Sequence, residues 1–193
     1  MVNIDFSNPK KYFSTQRNII ITTHRSPDGD ALGSSLALYN ILKENGHIVN
    51  IIVPNKFPYF LDFLPGSSEA IIFEKETEKS LKLINEVDTF FFLDFNTFSR
   101  LDKMSDYISK KDSYTILIDH HQDSKIQADQ SFCDTNICST AELVYDFIRK
   151  MDWNISKESA ISLYTGIVTD SGSFKYPTVS SKTHDIVSNL LSF

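Results

Sequence analysis

The chain has 193 residues, of which 41% are hydrophobic and 23% charged, as is typical of a globular domain. Its net charge of −6 argues against a long nucleic-acid-binding surface, which usually carries an excess of lysine and arginine. Cys133 and Cys138 do not have the spacing of a zinc site, and we expect no disulfide. Since residues 1–8 do not resemble a signal peptide and no apolar run approaches the ~20 residues of a membrane span, we expect a soluble cytoplasmic protein.

Predicted strands and helices alternate through the first half of the chain. Residues 18–23 (NIIITT) form a short β-branched run that predicts a buried strand. Residues 31–45 place apolar side chains at helical spacing, and Gly46 marks the end of that helix. His47, which we expect at the surface, begins a second strand. The further elements predicted in this half are that strand at 47–53, a short strand at 70–73 and a short helix at 77–84.

The second half continues the alternation. Residues 88–94 (DTFFFLD) and 114–118 (YTILI) predict two more buried strands, and residues 99–110 between them predict a helix. Ser139 is the predicted N-cap of a helix at 139–151, with Glu142 as its capping-box partner. Two more helices are expected at 156–168 and 180–193. Strands that are apolar along their whole length predict an α/β domain with a mainly parallel central sheet and helices on both faces.

Side chains that can bind metals follow three of the predicted strands. His24 follows the first strand, Asp94 ends the fourth, and Asp119, His120 and His121 come directly after the fifth. In parallel sheets, ligands bind in the crevice beyond the carboxyl ends of the strands. The sequence therefore predicts a ligand site at this edge of the sheet.

Two further acidic positions extend the candidate site. Asp28 and Asp30 lie in one loop, and carboxylates this close repel each other unless a cation neutralises them. Asp170 ends a predicted helix, where the helix dipole disfavours an anion. The alternatives are structural: Asp28 as a turn residue, Asp30 as a helix N-cap, and Asp94 as the cap of the next helix. Arg100 can face a phosphate or belong to a surface ion pair.

Four motifs carry a resemblance to a known family. HRSPDGDALGSSLAL, FFLDFNTFSRL, LIDHHQDS and YTGIVTDSGSF occur in this order, and together they resemble the DHH phosphoesterase superfamily, named for its Asp-His-His triplet. The form of the first and last motifs is most similar to the bifunctional oligoribonuclease and 3′-phosphoadenosine 5′-phosphate phosphatase branch.

The resemblance implies two metal sites that share Asp94. One would be formed by His24, Asp28 and Asp94, and the other by Asp30, Asp94, His120 and Asp170. Oxygen and imidazole ligands favour Mn²⁺, Mg²⁺, Fe or Zn²⁺ over metals that thiolates select, and Mn²⁺ is the ion typical of the family.

The remaining candidate residues are assigned to the substrate. The resemblance implies that His121 binds the scissile phosphate or protonates the leaving group, while Asp119 is a candidate to orient an imidazole. Arg25 and Arg100 are candidates to stabilise charge on the phosphoryl oxygens.

The expected function is metal-dependent hydrolysis of short oligoribonucleotides, 3′-phosphoadenosine 5′-phosphate, or both, through a metal-activated water. Other hydrolases of the superfamily are alternatives: an inorganic pyrophosphatase, a single-strand exonuclease or a phosphodiesterase linked to cyclic dinucleotides. The acidic charge disfavours a long DNA track. A non-catalytic module that holds metal and binds a nucleotide is the alternative from another class. A homodimer is compatible with the sequence.

The family resemblance also bears on domain organisation. Family members carry a second domain of the DHHA1 type with a glycine- and histidine-rich motif, which these 193 residues do not contain. Together with the apolar last residues, this predicts that residues 1–193 are a single DHH domain from a longer two-domain protein and weakly active alone. The alternative is a natural end that folds back on the core.

Overall fold

The computed structural model describes residues 7–193. The prediction about a signal peptide concerns residues 1–8 and falls almost entirely outside this range. Within it, no helix combines the length and the apolar character needed to cross a membrane.

A six-stranded sheet with the order β3-β2-β1-β4-β5-β6 forms the centre of the domain, and its five strand pairings are all parallel. The strands are β1 Asn18–Thr23, β2 Ile48–Val53, β3 Ile71–Ile72, β4 Thr89–Leu93, β5 Tyr114–Asp119 and β6 Gln130–Cys133. The chain moves outward from β1 to β3, then crosses back so that β4 pairs with the other side of β1. The carboxyl ends of β1 and β4 therefore form a topological switch point, the usual place for a ligand in such sheets.

Helices cover both faces of the sheet. The α-helices are α1 Ser7–Tyr12, α2 Gly29–Glu44, α3 Thr77–Glu86, α4 Ser105–Ile108, α5 Thr140–Lys150, α6 Lys157–Asp170 and α7 Ser181–Leu190, and 3₁₀ helices span Tyr59–Leu61, Ser67–Glu69 and Phe98–Met104. Side chains alternate along each strand, so Phe91 and Leu93 pack towards α2 and α5 while Phe90 and Phe92 pack towards α3 and α4. The predicted α/β class with a parallel sheet is confirmed.

Four local predictions need correction. The helix predicted at 99–110 is interrupted at Asp102, whose φ of 53° and ψ of −136° put a kink in the 3₁₀ helix Phe98–Met104, and α4 begins only at Ser105. Strand β6 and helix α1 were not predicted, because short mixed segments show neither period clearly. The last helix ends at Leu190 rather than at residue 193. His47 is buried, and its Nδ1 accepts a hydrogen bond from the backbone N–H of Arg17 at 3.3 Å.

Candidate metal centre

The parallel register brings three strand ends to the same level. Thr23 pairs with Leu93, and Leu93 pairs with Ile118, so His24, Asp94 and Asp119 are the next residues on three adjacent strands. All three lie at the carboxyl edge of the sheet, where the strand-end pattern predicted a ligand site.

His24, Asp28 and Asp94 form the first group of potential ligands. Nε2 of His24 lies 3.7 Å from Oδ2 of Asp28 and 3.4 Å from Oδ2 of Asp94. Nδ1 of His24 is 2.7 Å from the backbone carbonyl of Arg25, which can only accept, so Nδ1 carries the hydrogen. In the neutral ring Nε2 is then the unprotonated nitrogen, and it is buried without a hydrogen-bond partner among the described residues.

Asp30, His120 and Asp170 form the second group. Nε2 of His120 lies 3.4 Å from Oδ2 of Asp170 and 3.6 Å from Oδ1 of Asp94. The potential ligand atoms of Asp30, His120 and Asp170 all lie within 4.8 Å of one another, as do those of the first group. Asp94 thus faces both groups, with Oδ2 towards His24 and Oδ1 towards His120.

Close packing of α2 against α6 brings Asp30 and Asp170 together. A Cβ atom at Gly33 of α2 would lie 2.5 Å from the carbonyl oxygen of Ser162 in α6, so only glycine allows this approach. A Cβ atom at Gly166 would lie 2.7 Å from Cβ of Ala141 and 3.0 Å from Oδ1 of Asp30. Gly33 and Gly166 therefore have a packing role that sets the distance between two potential ligands.

The N-terminus of α5 holds the carboxylate of Asp30. The backbone N–H groups of Thr140 and Ala141 donate to its two oxygens at 2.6 and 2.9 Å. These are N–H groups of the first turn, which have no partner within the helix. The predicted alternative of Asp30 as an N-cap of its own helix is wrong: the N-cap of α2 is Asp28, whose Oδ1 accepts from the N–H groups of Asp30 and Ala31.

The pKa shifts of three carboxyl groups show where a negative charge is unfavourable at this site. Burial, then the charges of Asp94 and Asp170, raise the pKa of Asp30 well above its ordinary value. Burial is also the main cause that raises the pKa of Asp170 to about 6, with Asp94 and Asp28 adding to it against the opposing effect of His120. Burial alone would raise the pKa of Asp94, but the neighbouring histidines, His24 first, lower it below its ordinary value.

These residues fit a divalent cation. An imidazole nitrogen without a partner among the described residues faces two carboxylates, and two further carboxyl groups nearby retain protons more strongly than usual. A cation in each group would remove the mutual repulsion and give Nε2 of His24 a partner. Imidazole and carboxylate ligands without thiolate suit Mn²⁺, Mg²⁺, Fe and Zn²⁺.

Residues 18–167 match the DHH family, N-terminal domain. The chain belongs to this family. The resemblance predicted from the four motifs is confirmed.

Two relatives and one solved structure describe how similar this DHH chain is to known proteins. It is 31% identical to the probable bifunctional oligoribonuclease and PAP phosphatase NrnA of Streptococcus mutans, with 91% of this chain and 52% of that protein covered. It is 30% identical to the bifunctional oligoribonuclease and PAP phosphatase NrnA of Thermus thermophilus, with 91% and 50% covered. The crystal structure of an exopolyphosphatase-related protein from Bacteroides fragilis superposes with a TM-score of 0.94 and 41% identity, over 97% of this chain and 56% of that one. The chain spans about half the length of the curated relatives it matches.

The second histidine of the DHH triplet, His121, forms a third group of potential ligands with Asp94 and His120, but its hydrogen bonds are to other residues. Nδ1 of His121 is 2.7 Å from Oδ1 of Asp119, and its Nε2 is 3.1 Å from Nη1 of Arg100. The guanidinium can only donate, so Nε2 accepts and Nδ1 carries the hydrogen that Asp119 receives. Asp119 is fully buried, and this hydrogen bond orients the ring of His121.

The structure places the two predicted arginines differently. Arg100 is half-buried beside His121. Arg25 is exposed, and in the described part of the DHH domain its side chain makes no hydrogen bond or ion pair. The two residues are linked through their backbones, since the N–H of Arg25 donates to the carbonyl of Arg100 at 2.7 Å.

One residue of the DHH centre was not predicted. The hydroxyl of Thr140 is 2.8 Å from Oδ1 of Asp94, and both side chains are buried. The capping pattern at Ser139 and Glu142 located the start of α5, and Ser139 does accept from the N–H of Glu142. Spacing along the chain cannot show a contact between residues 46 positions apart, so only the fold identifies Thr140.

Proposed function

We propose that the chain is the metal-binding DHH domain of a phosphoesterase that hydrolyses short oligoribonucleotides, 3′-phosphoadenosine 5′-phosphate, or both. The observation that carries the proposal is the pair of ligand groups that meet at Asp94, at the switch point of the sheet. The substrate class follows from the similarity to relatives named as oligoribonuclease and PAP phosphatase. Because the chain spans about half of their length, we treat residues 1–193 as one DHH domain of a larger protein.

Two divalent cations, with Mn²⁺ preferred, are assigned to the two groups. His24, Asp28 and Asp94 would hold one, and Asp30, Asp94, His120 and Asp170 the other. When bound, such ions supply positive charge that stabilises phosphoryl oxygens and lowers the pKa of a coordinated water. The unpartnered Nε2 of His24 and the raised pKa values of Asp30 and Asp170 support this assignment.

His121 is assigned to the leaving group. Its hydrogen bond to Asp119 is the main cause that raises the pKa of His121, so the ring takes up a proton more readily than a free imidazole. With Nδ1 donating to Asp119, Nε2 is the atom that can pass a proton to the departing oxygen. The guanidinium of Arg100 contacts Nε2 of His121. It could instead donate to a phosphoryl oxygen of the substrate that takes the place of Nε2. Arg25 remains a candidate to stabilise charge on the phosphoryl oxygens, because its exposed side chain has no hydrogen bond or ion pair among the described residues.

The metal assignment is tested by anomalous scattering from crystals soaked in Mn²⁺. We expect two peaks, one beside His24 and one beside His120, on either side of Asp94. A map without any peak near Asp94 would contradict the proposal.

The substrate class is tested by a panel of substrates in Mn²⁺. The panel contains a diribonucleotide, 3′-phosphoadenosine 5′-phosphate, pyrophosphate, polyphosphate, a cyclic dinucleotide and single-stranded DNA. We expect turnover of the first two, and loss of that turnover in Asp94→Asn. Polyphosphate is included because a similar solved structure is that of an exopolyphosphatase-related protein. Release of phosphate from pyrophosphate or polyphosphate alone would replace the proposed substrates. Nucleotide binding without turnover, both by this chain and by the full-length protein, would indicate a non-catalytic module.

A further inference from the structure

The carboxylate of Asp94 has to present one oxygen to each ligand group. Oδ2 faces Nε2 of His24 at 3.4 Å, and Oδ1 faces Nε2 of His120 at 3.6 Å. The terminal torsion of an aspartate side chain is soft and broadly distributed. A carboxylate that bridges two ions therefore needs a contact that fixes its rotation.

The backbone of Asp94 does not supply that contact. Asp94 follows the last residue of β4 and has a φ of 65°, in the left-handed region that few non-glycine residues adopt. Its N–H donates to the carbonyl of Ile118 at 3.1 Å, which keeps the main chain against β5. This arrangement determines where the side chain starts, while the orientation of its two oxygens depends on what they touch.

Thr140 makes the contact with Asp94. Its hydroxyl donates to Oδ1 at 2.8 Å, and both side chains are almost completely buried. Because the other oxygen is left to His24, this hydrogen bond is compatible with one rotation of the carboxylate. It is the rotation in which Oδ1 is turned to His120.

The same residue also contacts the second group through its backbone. The N–H of Thr140 donates to Oδ2 of Asp30 at 2.6 Å, and the N–H of Ala141 donates to Oδ1. Ser139, the N-cap of α5, accepts from the N–H of Glu142 and leaves these two donors for Asp30. Thr140 therefore binds two of the assigned ligands, one by its side chain and one by its amide.

We infer that Thr140 is a positioning residue of the metal centre. Its hydroxyl fixes the rotation of the Asp94 carboxylate so that Oδ2 would face one ion and Oδ1 the other. This inference rests on the proposed function, because it requires that metal ions bind in both groups. Replacing Thr140 changes only the contact to Asp94, since the amide contact to Asp30 remains in any variant other than proline. The hydroxyl is thus expected to act on the pairing of the ions more than on the presence of a site.

The test is a calorimetric titration of the 193-residue chain with Mn²⁺. Electron paramagnetic resonance spectra are then recorded from the Mn²⁺-loaded protein. For Thr140→Val we expect the weaker of the two Mn²⁺ affinities to fall roughly 10–100-fold, as for other residues that orient metal ligands. We also expect the spectrum of a magnetically coupled pair to be replaced by that of isolated ions. Thr140→Ser keeps the hydroxyl and should restore both affinity and coupling. Thr140→Ala, which cannot crowd Asp94, repeats the test if the valine variant does not fold.

Thr22→Val is the matched control. Thr22 is fully buried at the end of β1, and its hydroxyl has no hydrogen-bond partner among the described residues, so its replacement should leave Mn²⁺ binding unchanged. Two coupled ions with unaltered affinity in Thr140→Val or Thr140→Ala would overturn the inference while leaving the proposed function intact. A serine variant as impaired as the valine variant would overturn it too, because a hydroxyl at this position would then not be sufficient to restore Mn²⁺ binding. Failure of the unmodified chain to bind Mn²⁺ would instead refute the proposed function.

Discussion

The approach of α2 to α6 at Gly33 leads to a prediction that separates stability from metal binding. A Cβ atom at this position would lie 2.5 Å from the carbonyl oxygen of Ser162 and 3.0 Å from the backbone nitrogen of Gly166. Both neighbours are backbone atoms, which cannot rotate away as a flexible side chain would. Gly33→Ala must therefore move the two helices apart by several tenths of an ångström. Asp30 lies one turn before Gly33, so its distance to Asp170 changes with the helices.

The size of the effect follows from two opposing contributions. Excess volume in a well-packed core costs about 1–3 kcal/mol. Alanine is favoured over glycine inside a helix by about 1 kcal/mol, which offsets part of that cost. We expect a net loss of up to about 2 kcal/mol, or up to roughly 8 °C in Tm for a domain of this size. Displacement of Asp30 from Asp170 should weaken the weaker Mn²⁺ affinity at least tenfold, by analogy with residues that orient ligands.

Gly46→Ala provides a control with a similar loss of stability. Gly46 follows α2 with a φ of 85°. Apart from its chain neighbours, no atom of the described residues lies within 4 Å of the point that a Cβ atom would occupy there, so alanine adds backbone strain of about 1–2 kcal/mol without crowding. Thermal unfolding of the metal-free chains and Mn²⁺ calorimetry are measured on both variants. We expect similar Tm losses but reduced Mn²⁺ affinity in Gly33→Ala alone. Equal Mn²⁺ affinities in the two variants would refute the idea that this helix contact sets the ligand distance.

Three further predictions concern catalysis, pH and backbone strain. His121→Ala should lower turnover of the diribonucleotide about 10²–10⁴-fold and retain both Mn²⁺ ions. His184→Ala, a change at an exposed residue of α7, should alter neither turnover nor metal content. Loss of metal in His121→Ala would show that this ring is a ligand. Because the pKa of Asp170 is raised to about 6, protonation of this carboxyl should lower Mn²⁺ affinity roughly tenfold from pH 7 to pH 5. The folded metal-free chain binds this proton more tightly than the unfolded chain, so it should lose stability as pH rises from 3.8 to about 6. An Mn²⁺ affinity independent of pH would contradict this. Asp102 has a φ of 53°, which strains a non-glycine residue, so Asp102→Gly should raise the free energy of unfolding by about 1 kcal/mol. Unfolding in urea measures this change. An unchanged midpoint of the urea transition would show that the backbone at Asp102 is not strained.

The sheet and its main helices could be predicted because their signals are local. The run at 18–23 has the bounds of β1, and the turn and cap residues placed α5 and α6 within a few residues. The segment at 99–110 failed for a physical reason: apolar spacing continues through it, but the positive φ of Asp102 depends on how the chain docks beneath β4 and β5. A single residue in an unusual backbone conformation leaves no periodic trace in the sequence.

The candidate site could be predicted as a set of residues but not as an arrangement. Ligands at the ends of parallel strands must meet, so His24, Asp94 and His120 were identified from position alone. The division of Asp94 between two groups came from the family resemblance, and the contact of Thr140 with Asp94 required the fold. Contacts of this kind join segments far apart in the chain, and neither spacing nor composition specifies them.

Asp30 and Asp170 have been assigned to the same ion, yet their carboxylates have different hydrogen-bond partners when no metal is bound. Asp30 accepts two N–H groups of α5, so it also serves as a cap for that helix. The carboxylate of Asp170 accepts no backbone N–H group among the described residues, and burial together with nearby carboxylates raises its pKa to about 6. In Asp30→Asn, an NH₂ group would face one of the α5 donors, and an unsatisfied buried N–H costs about 1–3 kcal/mol.

Metal-free Asp30→Asn should therefore unfold at a lower temperature than the unmodified chain, while Asp170→Asn should unfold at the same temperature or a higher one. Both variants should lose the weaker Mn²⁺ ion, because each removes a carboxylate from the second group. Calorimetry with Mn²⁺ and thermal unfolding without it would measure the two effects separately. Equal destabilisation of the metal-free variants would show that capping of α5 is not a separate role of Asp30, and loss of metal in only one of them would remove the other from the ligand set.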